Sequence, residues 1–402
     1  MQKRVRFLAS VLVLTVVLRS VLRAPAGEAF LGIMPWDDAP NDPAVLRELK
    51  ECGFTLAGFV EPKTLDACQA AGLKAIVKDR RITSLNWKQF DEVAAWTNLA
   101  SVVAEVGRHR ALFGYYLLDE PSADLFPGLG RASAILRELS PGKWPYINLF
   151  PNYATAEQLG TSRYEDYLEQ YVQTCRPPII SYDHYALMND GTLRAGYWQN
   201  LEQIRALALR HRLPFWNIVL STAHYDYRVP TDADFRFQVY STLACGGRGI
   251  NYFVYFAKRW NPHTSALTTN GQRTEVWYRM QAVNRQVLRL APTLLQLRSD
   301  AVYHFGQPPI GCSGPPPESL VSGVNHPQFM VGDFTHRDGS RYVLIVNKDL
   351  TWSHVCEPQF RAPPRRLQMV CPETGRLVPF EGARRWIPAG GGALLRLEGQ
   401  KR

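Results

Sequence analysis

The run Gly114-Tyr-Tyr-Leu-Leu-Asp-Glu-Pro121 sets two adjacent carboxylates at the end of an apolar stretch, with Pro121 stopping strand pairing just beyond them. Successive strand residues point to opposite sides, so the expected geometry sends Glu120 into a cleft while Asp119 braces it or holds a hydroxyl. Two carboxyl groups this close raise the pKa of one, as a general acid working near neutrality requires. The bland alternative is a structural Asp-Glu pair opening a loop. A second acid, Asp183, stands among ring and imidazole groups in Ser181-Tyr-Asp-His-Tyr185. Glu120 and Asp183 are the candidate catalytic pair.

The elements that must position them follow a regular alternation of short apolar runs and amphipathic helices, which predicts a β/α domain. Strands are expected at 29–34, 55–60, 74–77, 112–118, 145–149, 179–182, 215–220 and 249–254, each followed by a helix. The last helix, 275–297, repeats Val276, Met280, Val283, Val287, Leu290, Leu294 and Leu297 at steps of four and three, and Pro292 is expected to kink or split it. Eight units in about 270 residues suit a closed (β/α)8 TIM barrel. An open doubly wound sheet usually has a Gly-rich loop after its first strand, whereas here Pro35-Trp-Asp-Asp38 follows. Beyond residue 300, strand-like runs separated by turns such as Asp338-Gly339 predict a small antiparallel β-sandwich. The expected division is an N-terminal segment 1–29, a barrel 30–299 and a β-domain 300–402.

Function in such a barrel sits on the loops after the strand C-termini. The predicted ends carry Trp36 and Asp37; Glu61; Asp79; Asp119 and Glu120; Asn148 and Asn152; Asp183, His184 and Tyr185; Trp216, Asn217 and His224; and Asn251, Tyr255 and Trp260. This acidic, amide-rich and aromatic set suits a hydroxyl-rich ligand, with Trp or Tyr as stacking faces. Candidate substrate-binding residues are Asp119, Trp36, Asp37, Asn148, Asn152, Tyr185, Trp216, Asn217, His224, Asn251 and Tyr255. Any single ring or His among them is equally a packing residue. Glu61 and Asp79 are reserve acids better read as salt-bridge partners of Lys63 and Arg80. No HExxH, His cluster or Schiff-base Lys is visible, so neither metal nor cofactor is expected.

The 402 residues are 46% apolar and 11% aromatic, which supports a large core. Lys3, Arg4 and Arg6, the apolar run 7–18, and Ala24, Ala26 and Ala29 read as an export signal, with an uncleaved anchor as the alternative. A secreted, periplasmic or cell-surface location is therefore expected. The formal charge is +10, of which about +6 lies beyond residue 29. The basic residues are scattered, which argues against nucleic acid and leaves an acidic polysaccharide as a secondary option. No further membrane contact is expected, and the oligomeric state is left open. Seven cysteines leave at least one unpaired; Cys52–Cys68 and one bridge among Cys312, Cys356 and Cys371 are set against buried thiols.

Asp119-Glu120-Pro121 resembles the strand-4 Asn-Glu-Pro motif of the large retaining-glycosidase clan of (β/α)8 barrels, particularly the family 42-like group. Ala282-Val-Asn-Arg through Leu297-Arg-Ser-Asp-Ala-Val302 looks like the barrel-to-β-domain junction of such enzymes, and Tyr342-Val-Leu-Ile-Val-Asn-Lys-Asp349 like their β-domain. The resemblance implies a glycosidase with Glu120 as acid/base and a carbohydrate as substrate. It also implies a nucleophilic Glu at the end of strand 7, where this chain reads Asn217-Ile-Val-Leu-Ser-Thr-Ala-His224. Asp183 is the substitute. Because strands 4 and 6 are not neighbours, a wide separation is expected, and carboxylates about 6.5–9.5 Å apart invert through a water whereas those about 5–5.5 Å apart retain. Substrate-assisted hydrolysis, with Asp119 or Asp183 orienting a 2-acetamido group, remains open. So do a non-catalytic sugar-binding barrel and a structural or interaction protein on the same scaffold.

Overall fold

The computed structural model describes residues 31–401, so the basic, apolar N-terminal segment lies outside the described residues. Eight parallel strands come first: β1 Gly32–Pro35, β2 Leu56–Val60, β3 Lys74–Val77, β4 Leu112–Asp119, β5 Trp144–Asn148, β6 Ile180–Asp183, β7 Phe215–Leu220 and β8 Gly249–Phe253. They form two four-stranded sheets, β1-β8-β7-β6 and β2-β3-β4-β5. The sheets meet at two seams. At one, Asp38 bridges Phe59, and the Phe59 N–H donates to the Asp37 carbonyl at 2.9 Å. At the other, Leu149 bridges Tyr182, and the Leu149 N–H donates to the Ser181 carbonyl at 2.9 Å. Each strand thus lies beside its sequence neighbours, and β8 lies beside β1.

Alternation along the strands separates two cores. One side packs against the helices through residues such as Ile33, Ile147 and Ile250. The other joins Met34, Trp36, Leu56, Ile76, Tyr146, Trp216 and Ile218 from both sheets. Trp216 fills the space between the two sheets: a Cβ built on Gly32 or Gly249 would lie 2.3 or 2.6 Å from its indole. Glycine at these positions lets the indole lie flat against the backbone.

The helix Glu275–Leu294 runs through Pro292, which falls in its last turn and does not split it. Proline is tolerated there because little helix remains to be kinked. The chain then enters a six-stranded antiparallel sheet in the order Leu377–Pro379, Arg366–Val370, Gly392–Lys401, Ser340–Asn347, Phe329–His336, Leu297–His304. Two short ribbons, Val321–Gly323 with Gln359–Phe360 and His354–Val355 with Trp386–Ile387, accompany it. The sheet lies against the helix Asp232–Ala244 so closely that a Cβ at Gly332 would meet the Ala244 carbonyl at 2.2 Å. All seven cysteines are free thiols, so neither expected bridge forms. Cys68, Cys175 and Cys356 are buried, and burial raises each thiol to about 12, leaving it a poor nucleophile. Among the described residues no helix is long and apolar enough to cross a membrane.

Trp216→Ala should leave a large void and cost about 3–5 kcal/mol of stability, read as a lowered urea midpoint. A near-wild-type midpoint would show that the indole is not a core element.

Candidate active site

β4, β5 and β6 lie side by side, and their last residues build the site. Asp119 on β4 is in register with Asn148 on β5. The Asn148 amide donates to Asp183 Oδ1 at 2.8 Å and to Asp119 Oδ1 at 3.1 Å. Its carbonyl oxygen accepts from Ser181 Oγ at 2.9 Å. Behind it the chain continues: Tyr146 Oη lies 2.8 Å from Ser181 Oγ, and the Asn251 amide donates to Tyr146 Oη at 2.8 Å. With Ser181 donating to Asn148, Tyr146 must donate to Ser181. Every donor in this buried chain therefore points toward the acids, and such aligned bonds strengthen one another.

Glu120 leaves the strand ladder with φ 45°, a left-handed conformation that is uncommon for a residue with a side chain. Its N–H remains bonded to the Asn148 carbonyl at 2.9 Å. This turn overrides strand alternation. Glu120 does not oppose Asp119 across the strand but joins it, and its carboxyl hydrogen-bonds the buried Asp183 carboxyl. The wide separation expected for strands 4 and 6 is thus not found: the two carboxyls share a hydrogen bond, and Asn148 holds Asp183 by another.

The electrostatics follow from this contact. Burial, then the Asp119 charge, push Glu120 up from 4.5 to about 7, against a lowering from its bond with Asp183. Asp183 is raised well above the usual carboxylate range by burial, then by Glu120 and Asp119. Asp119 is also raised by burial, but bonds from Asn148 and the Trp36 indole favour its charged form. Water reaches Asp119 even though protein crowds it, the situation of a group on a cleft floor, and Glu120 is half-buried beside it.

Tyr185 and His224 stand on the rim. Their rings are 5.4 Å apart, and His224 also packs on Tyr227 and Phe253 at 4.8 and 5.0 Å. Trp260 is 56% exposed and lies parallel to Phe253 at 6.4 Å. The other candidates serve the scaffold. Trp36 is 7% exposed and packs edge-on against Phe59, so its contribution is the bond to Asp119 and not a stacking face. Asp37 is bound by Lys258 Nζ and by the Phe256 N–H, tying the loop after β8 to β1. Asn152 donates to the Gly196 carbonyl and to Gln203. Trp216 is fully buried; Asn217, next to it on β7, points outward and donates to Thr242 at 2.8 Å. Asn251 lies inside the ring, and Tyr255 is buried, accepting from the Trp277 indole. His184 is buried against Asn200 and kept neutral, its pKa lowered to about 4 by burial. Glu61 pairs with Lys63, while Asp79 pairs with Arg81 and not with Arg80.

Strand-end reading overlooked Phe253, although a two-residue step from Asn251 places it on the inner face. It also overlooked Arg194, which lies well into the loop after β6. Beside the acids, at the ends of β1 to β3, a cavity of about 740 Å³ is lined by Asp38, Phe59 and Lys78 among others, but not by Glu120. Lys78 Nζ lies 5.7 Å from the Tyr116 ring and pairs with Asp38.

No protein-family model and no curated protein sequence matches the chain. Solved structures do. A glycoside hydrolase family 5 protein from Bacteroides vulgatus ATCC 8482 aligns with TM-score 0.60 at 9% identity, over 92% of this chain and 89% of that one. A second glycoside hydrolase aligns with TM-score 0.58 at 10% identity, over 93% of each. The cold-adapted β-galactosidase from Rahnella sp. R3 aligns with TM-score 0.53 at 10% identity, over 68% of this chain; the chain spans 58% of that enzyme's length. At these identities the likeness is one of fold, and the fold is that of glycoside hydrolases.

A carboxyl raised in the folded state stabilises the fold when neutral, fully so below its ordinary 4.5, and that contribution is lost as pH climbs through about 7. Between pH 5 and pH 8 the wild type should therefore lose on the order of 2 kcal/mol relative to Glu120→Gln, measured by urea unfolding. Parallel pH curves for the two proteins would contradict the shared-proton arrangement.

Proposed function

We propose that the chain is a glycoside hydrolase with its eight parallel strands closed as a (β/α)8 barrel and Glu120 as its general acid. The observation that carries this reading is the hydrogen-bonded Glu120–Asp183 pair, which holds a proton into the neutral range beside the exposed Asp119. Glu120, the less buried of the two, delivers the proton to the leaving oxygen. Asp183 is its proton partner. Asp119, held by the donors that favour a carboxylate, faces the developing positive charge or the attacking water. Trp260 supplies a stacking face at the rim. The glycoside hydrolases that share the fold support the class. The Asp119-Glu120-Pro121 motif supports descent near the family 42-like group, with an altered strand-7 end. The basic, apolar N-terminal segment supports an exported protein.

A second reading, a sugar-binding barrel without turnover, is favoured by the run Ser221-Thr222-Ala223-His224 after β7, which carries no acid.

Glu120→Gln should keep the wild-type circular dichroism spectrum and lose about 10²–10⁴-fold in kcat, measured on a panel of aryl glycosides and polysaccharides. Wild-type turnover in this variant would exclude Glu120 as the acid, and tight oligosaccharide binding with no product from the wild type would favour the second reading. Wild-type activity should decline as pH rises through about 7, where Glu120 loses its proton. Trp260→Ala should raise KM about 2–10-fold with little change in kcat.

A further inference from the structure

Arg194 lies in the loop between β6 and the helix Tyr197–His211. Its backbone is fixed: its N–H donates to the Ala186 carbonyl at 2.7 Å, and the neighbouring pair Leu187 and Leu193 forms a bridge. The guanidinium carbon lies 4.4 Å from the centre of the Tyr153 ring and 5.1 Å from that of Tyr227. Two rings thus hold the cation by cation–π contact. Tyr153 in turn stands edge-on to His184 at 5.0 Å, next to Asp183 in the chain, and burial, then Asp183, opposes ionisation of the Tyr153 hydroxyl. The contacts thus run from the loop through Tyr153 to His184, at the end of β6.

Half-buried arginines of this protein are held by carboxylates or by backbone carbonyls, as Arg137 is by those of Cys175 and Arg176 and Arg248 by those of Leu294 and Leu297. Arg228 is paired with Asp234 at 2.6 Å, Arg81 with Asp79 at 2.6 Å, and Arg273 with Glu48 at 2.6 Å. Among the described residues Arg194 has no acid partner, and its Nε is buried with no hydrogen-bond acceptor. A buried N–H without an acceptor is costly, and the planar fork of the guanidinium matches carboxylate and sulfate oxygens.

We propose that Arg194 is an anion-reading subsite, so that the substrate carries a carboxylate or sulfate on a sugar unit bound beside Glu120 and Asp183. This rests on the glycosidase reading and narrows it from hydroxyl-rich glycans to acidic ones. Tyr153 and Tyr227 orient the guanidinium, which binds the anion in a forked contact while the acids act on the adjoining linkage.

The test is calorimetric binding of oligosaccharides from pectin, alginate and sulfated glycosaminoglycan, each paired with its carboxyl-reduced or desulfated counterpart. It uses wild type, Arg194→Gln, Arg194→Lys and the Glu120→Gln variant, in which binding is read apart from hydrolysis. At least one native oligosaccharide should bind about tenfold or more tightly than its neutral counterpart. Arg194→Gln should abolish that preference with the neutral affinity unchanged, and Arg194→Lys should retain part of it. Loss through carboxyl reduction identifies a sugar acid, and loss through desulfation a sulfate ester. Equal binding of charged and neutral forms, no binding of any probe, or a preference that survives Arg194→Gln would overturn the proposal. Hydrolysis that persists in Glu120→Gln would sink the catalytic reading while leaving the binding preference to be judged separately.

Discussion

One side-chain amide holds the site together. Asn148 has two N–H donors on a single nitrogen, and both are used on carboxylates from different strands. Three carboxyl groups gathered around that amide in surroundings poorer than water in dielectric response cannot all be charged. A proton must stay in the cluster at neutral pH. That proton is the chemical resource of the site, and it exists because β5 lies between β4 and β6 with Asn148 in register with Asp119. An apolar residue at 148 would leave the same acids without a common donor. Asp119 would then lose the bond that favours its charge, and Asp183 would lose the partner that orients it.

The interior of the ring explains why the acids are dry on one side and wet on the other. Trp216, Tyr146, Trp144 and Phe113 pack against one another beneath the acids, with ring centres 4.6–6.0 Å apart. Burial leads the causes of every raised carboxyl in the cluster above them. They also carry the hydrogen-bonded chain from Asn251 through Tyr146 and Ser181, which delivers oriented dipoles where bulk solvent cannot. Above, Asp119 is open to solvent. A floor of aromatic packing under an open mouth lets a carboxyl be both perturbed and reachable.

The parts legible in the sequence were those that depend on residue type and local period. Eight apolar runs alternating with amphipathic helices mark the eight strands, and the adjacent acids at 119 and 120 mark the site. Facing was less legible. Trp216 and Asn217 both sit on a strand that reads as continuous apolar sequence, where no polar alternation reveals which side is which; only the register of β7 against β6 and β8 shows one filling the ring and the other meeting Thr242. Glu120 escaped for a different reason. Strand alternation holds only while the backbone stays extended, and a left-handed turn at a glutamate has no composition cue. Asp37 and Asn152 were sound as strand-end polar groups, but long loops must be fastened somewhere, and these residues fasten the loops after β8 and β6.

The run Ser221-Thr222-Ala223-His224 after β7 carries no acid. Ser221 donates to the Val254 carbonyl at 3.0 Å, and Thr222 bonds Thr264 at 2.9 Å. Both hydroxyls are spent on bracing the loop after β8, so neither is free to meet a ligand. In the proposed reaction, positive charge developing on the sugar is met from the β4–β6 side. Of the three acids there, Glu120 and Asp183 share the proton; burial, then Glu120, raises the affinity of Asp183 for it, while the bond from Asp183 works against that of Glu120. Asp119 receives donors from Asn148 and Trp36 and the attraction of Lys78, all of which favour its ionised form. The division of labour between neutral acid and charged stabiliser, which paired carboxylates on opposite strands achieve by distance, is achieved here between adjacent residues by the donors each one faces.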